Sequence, residues 1–147
     1  MLIEWTDSLL VGHQRIDSDH KALVIMINRL HEAILSETGR ATISEIIHFL
    51  AEQTYRHFMF EEWLMITNEF PGAQEHLTLH RSLVDELDAL LYSMEMAPDD
   101  ALLEAVTFFE SWFVTHVVCE DLQLGRYLSE RERERERAAA VSAPPPS

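Results

Sequence analysis

The side chains best able to do chemistry are five histidines and the carboxylates near them: His20, His57 with Glu61, His76 with His80, and His116 with Asp121. HFMFE and HLTLH each space two metal-competent groups four residues apart. On a helix that separation is about 40° of rotation and about 6 Å of rise, so each pair shares one face. The flanking residues make it the apolar, inward face. A lone histidine there is more often a hydrogen-bonded core residue than a ligand. Five of the eight histidines gathered with two carboxylates in an apolar interior are a different case, because burying them uncompensated is strongly unfavourable. Metal coordination compensates it. The donors are too many for one tetrahedral zinc and suit two first-row metals bridged by carboxylates. His116 and Asp121 fit less simply: five residues is about 140° around an ideal helix, whereas Glu120 stands at the natural i+4.

Four amphipathic helices must position these groups. The first is expected from near Asp17 or Ser18, carrying His20, Leu23, Val24, Ile27, His31 and Ile34 at helical spacing and stopping around Gly39. Thr42 with Glu45 reads as a capping box opening the second, whose inner stripe is Ile46, Ile47, Leu50, Thr54, His57, Phe58, Glu61 and Met65. Pro71 and Gly72 break the chain before a third helix over about residues 73 to 94, with His76, His80, Leu83, Val84, Leu87 and Leu91 on one face. Pro98 and Asp99 introduce the fourth, which presents Leu102, Ala105, Phe109, Trp112, Phe113, His116 and Val117 and continues past Tyr127. Short connections make sequential helices antiparallel, so the expected fold is an all-α, up-down-up-down four-helix bundle with an extended N-terminal arm around Trp5. In that topology the start of the first and third helices lies level with the end of the second and fourth. All seven candidate side chains then fall in one layer.

Composition agrees with one helical domain. The chain has 147 residues, 47% of them hydrophobic, and only four glycines. Its formal charge of −15 repels phosphate backbones and anionic lipid, so neither nucleic acid nor a membrane surface is an expected partner. One cysteine, Cys119, excludes an internal disulfide; it is expected as a small buried hydrophobe with a minor redox alternative. The N-terminus lacks a basic region followed by an apolar signal stretch, and no apolar run approaches the roughly 20 residues of a membrane span. A cytoplasmic setting is expected. Residues 1–128 form the expected domain; residues 129–147 hold an alternating Glu/Arg helix without an apolar stripe, then a small-residue and Pro-rich tail expected to be disordered. Asp17 could orient a ligand imidazole or cap the first helix, and His13, His31 and His48 read as surface or structural.

Over about residues 3 to 128 the sequence resembles the hemerythrin family, particularly its bacterial single-domain members. The resemblance rests on Trp5, VGHQRIDSDHKAL, HFMFEEWLM, HLTLH and WFVTHVVCEDLQLGRYL, which fill all seven ligand positions of the family pattern. It implies two non-haem iron ions, His76, His80 and His116 on one and His20 and His57 on the other, with Glu61 and Asp121 bridging. It therefore selects Asp121 over Glu120 and Glu61 over Glu62, and a π-type bulge or bend between Trp112 and Asp121 is expected to reconcile the spacing. The implied activity is reversible binding of dioxygen at the open iron, where a hydroxo-bridged ferrous pair gives two electrons and a proton to oxygen and recovers them on release. Phe58, Phe113 and Val117 are expected to wall the oxygen pocket, with ordinary core packing as the alternative; Trp112 is expected first as core. Storage or delivery without chemical turnover is the leading function. A protein partner receiving oxygen or a redox signal, and a di-iron oxidase or peroxidase, are the alternatives. A ferritin-like enzyme would carry two Glu-x-x-His motifs, and only Glu45 to His48 has that spacing.

Overall fold

Among the described residues, five α-helical segments carry the chain in the computed structural model, which describes residues 1–96 and 98–146, with the side chains of 98–100 left aside. α1 spans Gln14–Leu35 and starts earlier than expected, because the His13 ring caps it by accepting the Ile16 N–H at 3.3 Å. Asp17 is not the cap. Its carboxylate turns back to accept the N–H groups of Val11 at 2.8 Å and Gly12 at 3.2 Å, tying down the segment before the helix.

α1 ends with Glu37 in the left-handed region at φ 52°, its N–H on the Ile34 carbonyl and that of Thr38 on the Ala33 carbonyl. This is the crossed pair of bonds that closes many helix ends, here without the usual glycine. The tight closure lets α2 (Arg40–Thr67) restart at once, with Gly39 at its cap and no side-chain capping bond. The expected box at Thr42 and Glu45 does not form, since Thr42 already lies inside the first turn with its N–H on the Gly39 carbonyl. α2 ends by the same motif at Glu69, φ 53°. α3 spans Ala73–Met96 and α4 Pro98–His116. A single π-helical turn, Val117–Asp121, joins α4 without interruption to α5, Leu122–Ser142.

α1 packs on α2 and α4, and α3 on α2 and α4, which closes an up-down-up-down four-helix bundle. Among the described residues no strand occurs. One half of the bundle is packed chiefly with apolar side chains. Ile27 and Leu30 late in α1, Ile43, Ile47 and Leu50 early in α2, Leu87, Leu90 and Met94 late in α3, and Ala101, Ala105 and Val106 early in α4 are all buried there. The polar candidate side chains occupy the other half. Tyr55 on α2 donates a hydrogen bond to Asp88 on α3, holding those helices in register.

The N-terminal arm lies along α1. The Asn28 side-chain oxygen accepts the N–H groups of Leu2 and Ile3 at 3.0 and 2.8 Å, and its amide donates to the Ile3 carbonyl at 2.8 Å. Further on, the arm crosses α5 so closely that a Cβ on Gly125 would stand 2.1 Å from the Val11 carbonyl oxygen. Only glycine fits that crossing, and the following Gly12 turns the chain at φ 91°.

Past Leu128 the long helix is largely exposed, and it stays helical through Ala138–Ser142, the first part of the segment expected to be disordered. Arg135 reaches back to the Asn68 side chain at 3.0 Å. One 18-residue window between Ala101 and Ser142 is long and apolar enough to cross a membrane. Its inner face, including Ala105, Phe109, Phe113 and Val117, is buried against the bundle.

Candidate metal centre

All seven side chains singled out from the sequence converge in the polar half of the bundle, and all are buried. His20 comes from the early turns of α1, His57 and Glu61 from the latter half of α2, and His76 and His80 from the start of α3. His116 closes α4, and Asp121 ends the π turn. That turn is the expected distortion. Closing its hydrogen bonds one residue later than an α-helix, it brings the i+5 side chain back beneath His116, whose Nε2 lies 3.0 Å from Asp121 Oδ1. Glu120 is rotated outward to the surface groove between α3 and α4.

The donor atoms divide into two groups, each with its members within 4.8 Å of one another: Glu61, His76, His80, His116 and Asp121 in one, and His20, His57, Glu61 and Asp121 in the other. In the first, the Nε2 atoms of His76 and His80 each stand 3.0 Å from that of His116. In the second, His20 and His57 face each other at 3.1 Å. Two donors at right angles on an ion with bonds of about 2.1 Å stand about 3.0 Å apart, whereas tetrahedral angles open that to about 3.4 Å. The imidazole spacing is therefore closer to that of donors at right angles on a shared ion than to a tetrahedral arrangement.

The two carboxylates belong to both groups, one oxygen to each. Glu61 Oε1 lies 3.2 Å from His57 and Oε2 3.2 Å from His80. Asp121 Oδ2 lies 3.0 Å from His20, while Oδ1 lies 3.2 Å from His76. Neither Glu61 oxygen has a properly aligned hydrogen bond, and Asp121 Oδ1 lacks one as well. Buried carboxylate oxygens in that condition fit a pair of cations placed between them and the imidazoles.

Electrostatics follow from this crowding. Burial alone disfavours a charged His57, but the Glu61 and Asp121 carboxylates outweigh it and hold the ring's pKa well above its ordinary value. His76 is raised in the same way, chiefly by Asp121 acting against burial. Burial dominates at His80 and lowers it. Burial would raise the pKa of Asp121, yet the close approach of the His116, His20, His57 and His76 rings pulls it well down.

Phe58 stacks on His80 with ring centres 4.0 Å apart, Trp112 meets Phe58 edge-on at 5.2 Å, and Phe113 meets His20 edge-on at 5.6 Å. Val117, next in sequence to His116, is buried as well. Two contacts escape sequence reasoning. Asp19, not Asp17, reaches a clustered histidine, with Oδ2 3.4 Å from His57 Nδ1, and Glu62 Oε1 lies 3.2 Å from His80 Nδ1. Both cross between helices, so no spacing within one helix announces them. Cys119 is exposed rather than buried, because the extra residue of the π turn that swings Asp121 inward swings Cys119 out. His13, His31 and His48 stand outside both donor groups.

The model of the hemerythrin HHE cation-binding domain matches residues 11–128. A bacteriohemerythrin of Pseudomonas aeruginosa is 32% identical over 119 residues, 80% of this chain and 75% of its own length. One from Stenotrophomonas maltophilia is 30% identical over 120 residues, 82% and 77% of the two chains. A myohemerythrin of Riftia pachyptila is 30% identical over 113 residues, 77% and 82% of the two chains.

Proposed function

The chain belongs to the hemerythrin family, and on that premise we propose that its buried cluster holds two non-haem iron ions and binds dioxygen reversibly, for storage or delivery. His76, His80 and His116 would hold one ion and His20 and His57 the other, with Glu61 and Asp121 shared between the two groups. The observation carrying this reading is that each of two fully buried carboxylates turns one oxygen to each histidine group. When bound, the ions supply the electrons that oxygen takes up and returns. The protein does the rest. With five protein donors in one group and four in the other, the two-histidine side keeps room for an exogenous ligand. Neutral imidazoles favour the ferrous state more than a carboxylate-rich set does.

Phe58, Phe113 and Val117 form the dry wall of the oxygen pocket, keeping out the water and protons that promote loss of the bound ligand as peroxide. The function is binding without net turnover, so no residue is assigned a catalytic role. A reducing cytoplasm suits both the ferrous state and the exposed thiol of Cys119. The test is to load the protein anaerobically with ferrous iron, count the ions, and admit oxygen. Two irons per chain and a visible ligand-to-iron absorption band that vanishes on deoxygenation are expected. Irreversible bleaching with release of peroxide would overturn the carrier reading in favour of an oxidase.

A further inference from the structure

We infer that Asp19 and Glu62 are positioning residues, one for each half of the centre, that set how electron-rich each half is. The inference rests on the di-iron reading above. His57 and His80 both turn Nε2 to the cluster, and each presents Nδ1 to a carboxylate outside it, Asp19 at 3.4 Å and Glu62 at 3.2 Å. A ring that coordinates through Nε2 keeps its proton on Nδ1, so that N–H donates to the carboxylate. Such a bond fixes the ring's rotation and pushes negative charge onto it, making it a stronger donor. His57 belongs to the two-histidine group and His80 to the three-histidine group, so each half receives one such push. His20, by contrast, has its Nδ1 buried without a hydrogen-bond partner.

The two pushes are unequal. The Asp19 carboxylate is shared with Arg15, whose Nε lies 3.3 Å away and whose guanidinium is held 4.6 Å above the Phe60 ring. Among the described residues Glu62 has no cationic partner other than the His80 ring. Arg15 therefore draws part of Asp19's charge away from His57, and no such cation competes with His80 for Glu62. Arg15 becomes a third tuning group, acting through Asp19 and with opposite sign.

The test uses the full chain loaded anaerobically with two equivalents of ferrous iron-57, with one-electron potentials read by spectroelectrochemistry and the two irons distinguished by Mössbauer spectroscopy. Glu62→Gln and Asp19→Asn are expected to bind two irons and shift the ferric-to-ferrous equilibrium toward ferrous, Glu62→Gln by about tenfold, which is about 59 mV for one electron, and Asp19→Asn by less. Each should disturb the Mössbauer signal of one iron only. Glu62→Asp and Asp19→Glu, which restore the charge, should return most of the shift. Arg15 is largely exposed, so Arg15→Gln keeps the fold, and it is expected to move the equilibrium several-fold toward ferric. A general loosening of the site could not produce that opposite sign. Intact uptake of two irons with unmoved potentials, or an Arg15→Gln shift in the same direction as Asp19→Asn, overturns the inference. Failure of the wild-type chain to take up two irons overturns the di-iron reading itself.

Discussion

Asp121→Asn against Glu120→Gln is the most discriminating pair of substitutions, because adjacent carboxylates on one helix are separated only by the π turn. Asp121 has no solvent exposure and meets His20 at 3.0 Å, His116 at 3.0 Å and His76 at 3.2 Å. Asparagine keeps the shape but removes the charge and replaces one oxygen by an NH2 group that cannot ligate. On the di-iron reading proposed above, one half of the centre loses a donor, and one of the two carboxylates shared between the halves is lost. Outer partners of metal ligands are each worth roughly 10–100-fold in affinity, so loss of a bridging ligand should exceed 100-fold, about 2.7 kcal/mol. The metal-free fold suffers too, since breaking a buried ion pair from one side costs about 3–5 kcal/mol. Glu120 lies on the groove surface, where such changes stay within about 0.5 kcal/mol. Iron content after anaerobic loading and gel filtration, together with the visible spectrum of the oxidised protein, reads both effects. Asp121→Asn should hold fewer than two irons with a changed spectrum, and Glu120→Gln should match wild type. The reverse ranking would refute the role given to the π turn.

Phe113→Ala should lower the unfolding free energy by about 3–5 kcal/mol, as expected for a large buried ring, and should also speed autoxidation of the oxygenated protein; an unchanged rate would reduce Phe113 to packing alone. The metal-free protein should lose stability as pH rises from about 6.5. His57 and His76, whose pKa values are raised by the cluster carboxylates, lend stability that is complete below the unfolded value and lost as pH climbs through the folded one, with His80 offsetting part of it. Iron loading should reverse that slope, because coordination requires deprotonated imidazoles. Thermal melts across pH 6 to 9 with and without iron would expose the same slope in both forms if the reasoning is wrong. Gly125→Ala sets a methyl against the Val11 carbonyl and should cost about 1–3 kcal/mol. Hydrogen exchange at the Leu2 and Ile3 amides, held by Asn28, should quicken; protection equal to wild type would mean the arm does not depend on that crossing.

Much of this was legible because it lies within single helices. His57 with Glu61 and His76 with His80 repeat at helical spacing, and the apolar residues around them mark the face that turns inward. The breaks at Pro71–Gly72 and before Pro98 set the helix order, and the order sets the common height of the candidate side chains. Even the π turn left a trace, as a conflict between the five-residue interval from His116 to Asp121 and the 100° step of an α-helix.

Other features depend on how one helix is rolled against another, which periodicity does not encode. The approach of Asp19 to His57 and of Glu62 to His80, the pinning of the arm by Asn28, and the crossing over Gly125 all join residues far apart in sequence. The exposure of Cys119 follows from one inserted residue that changes the facing of its neighbours. By itself the sequence determined which side chains share a face and a level, because a helix's repeat is local. Only the tertiary structure decided which nitrogen meets which carboxylate, because those contacts are set by side-chain packing between helices at distances of about 3 Å.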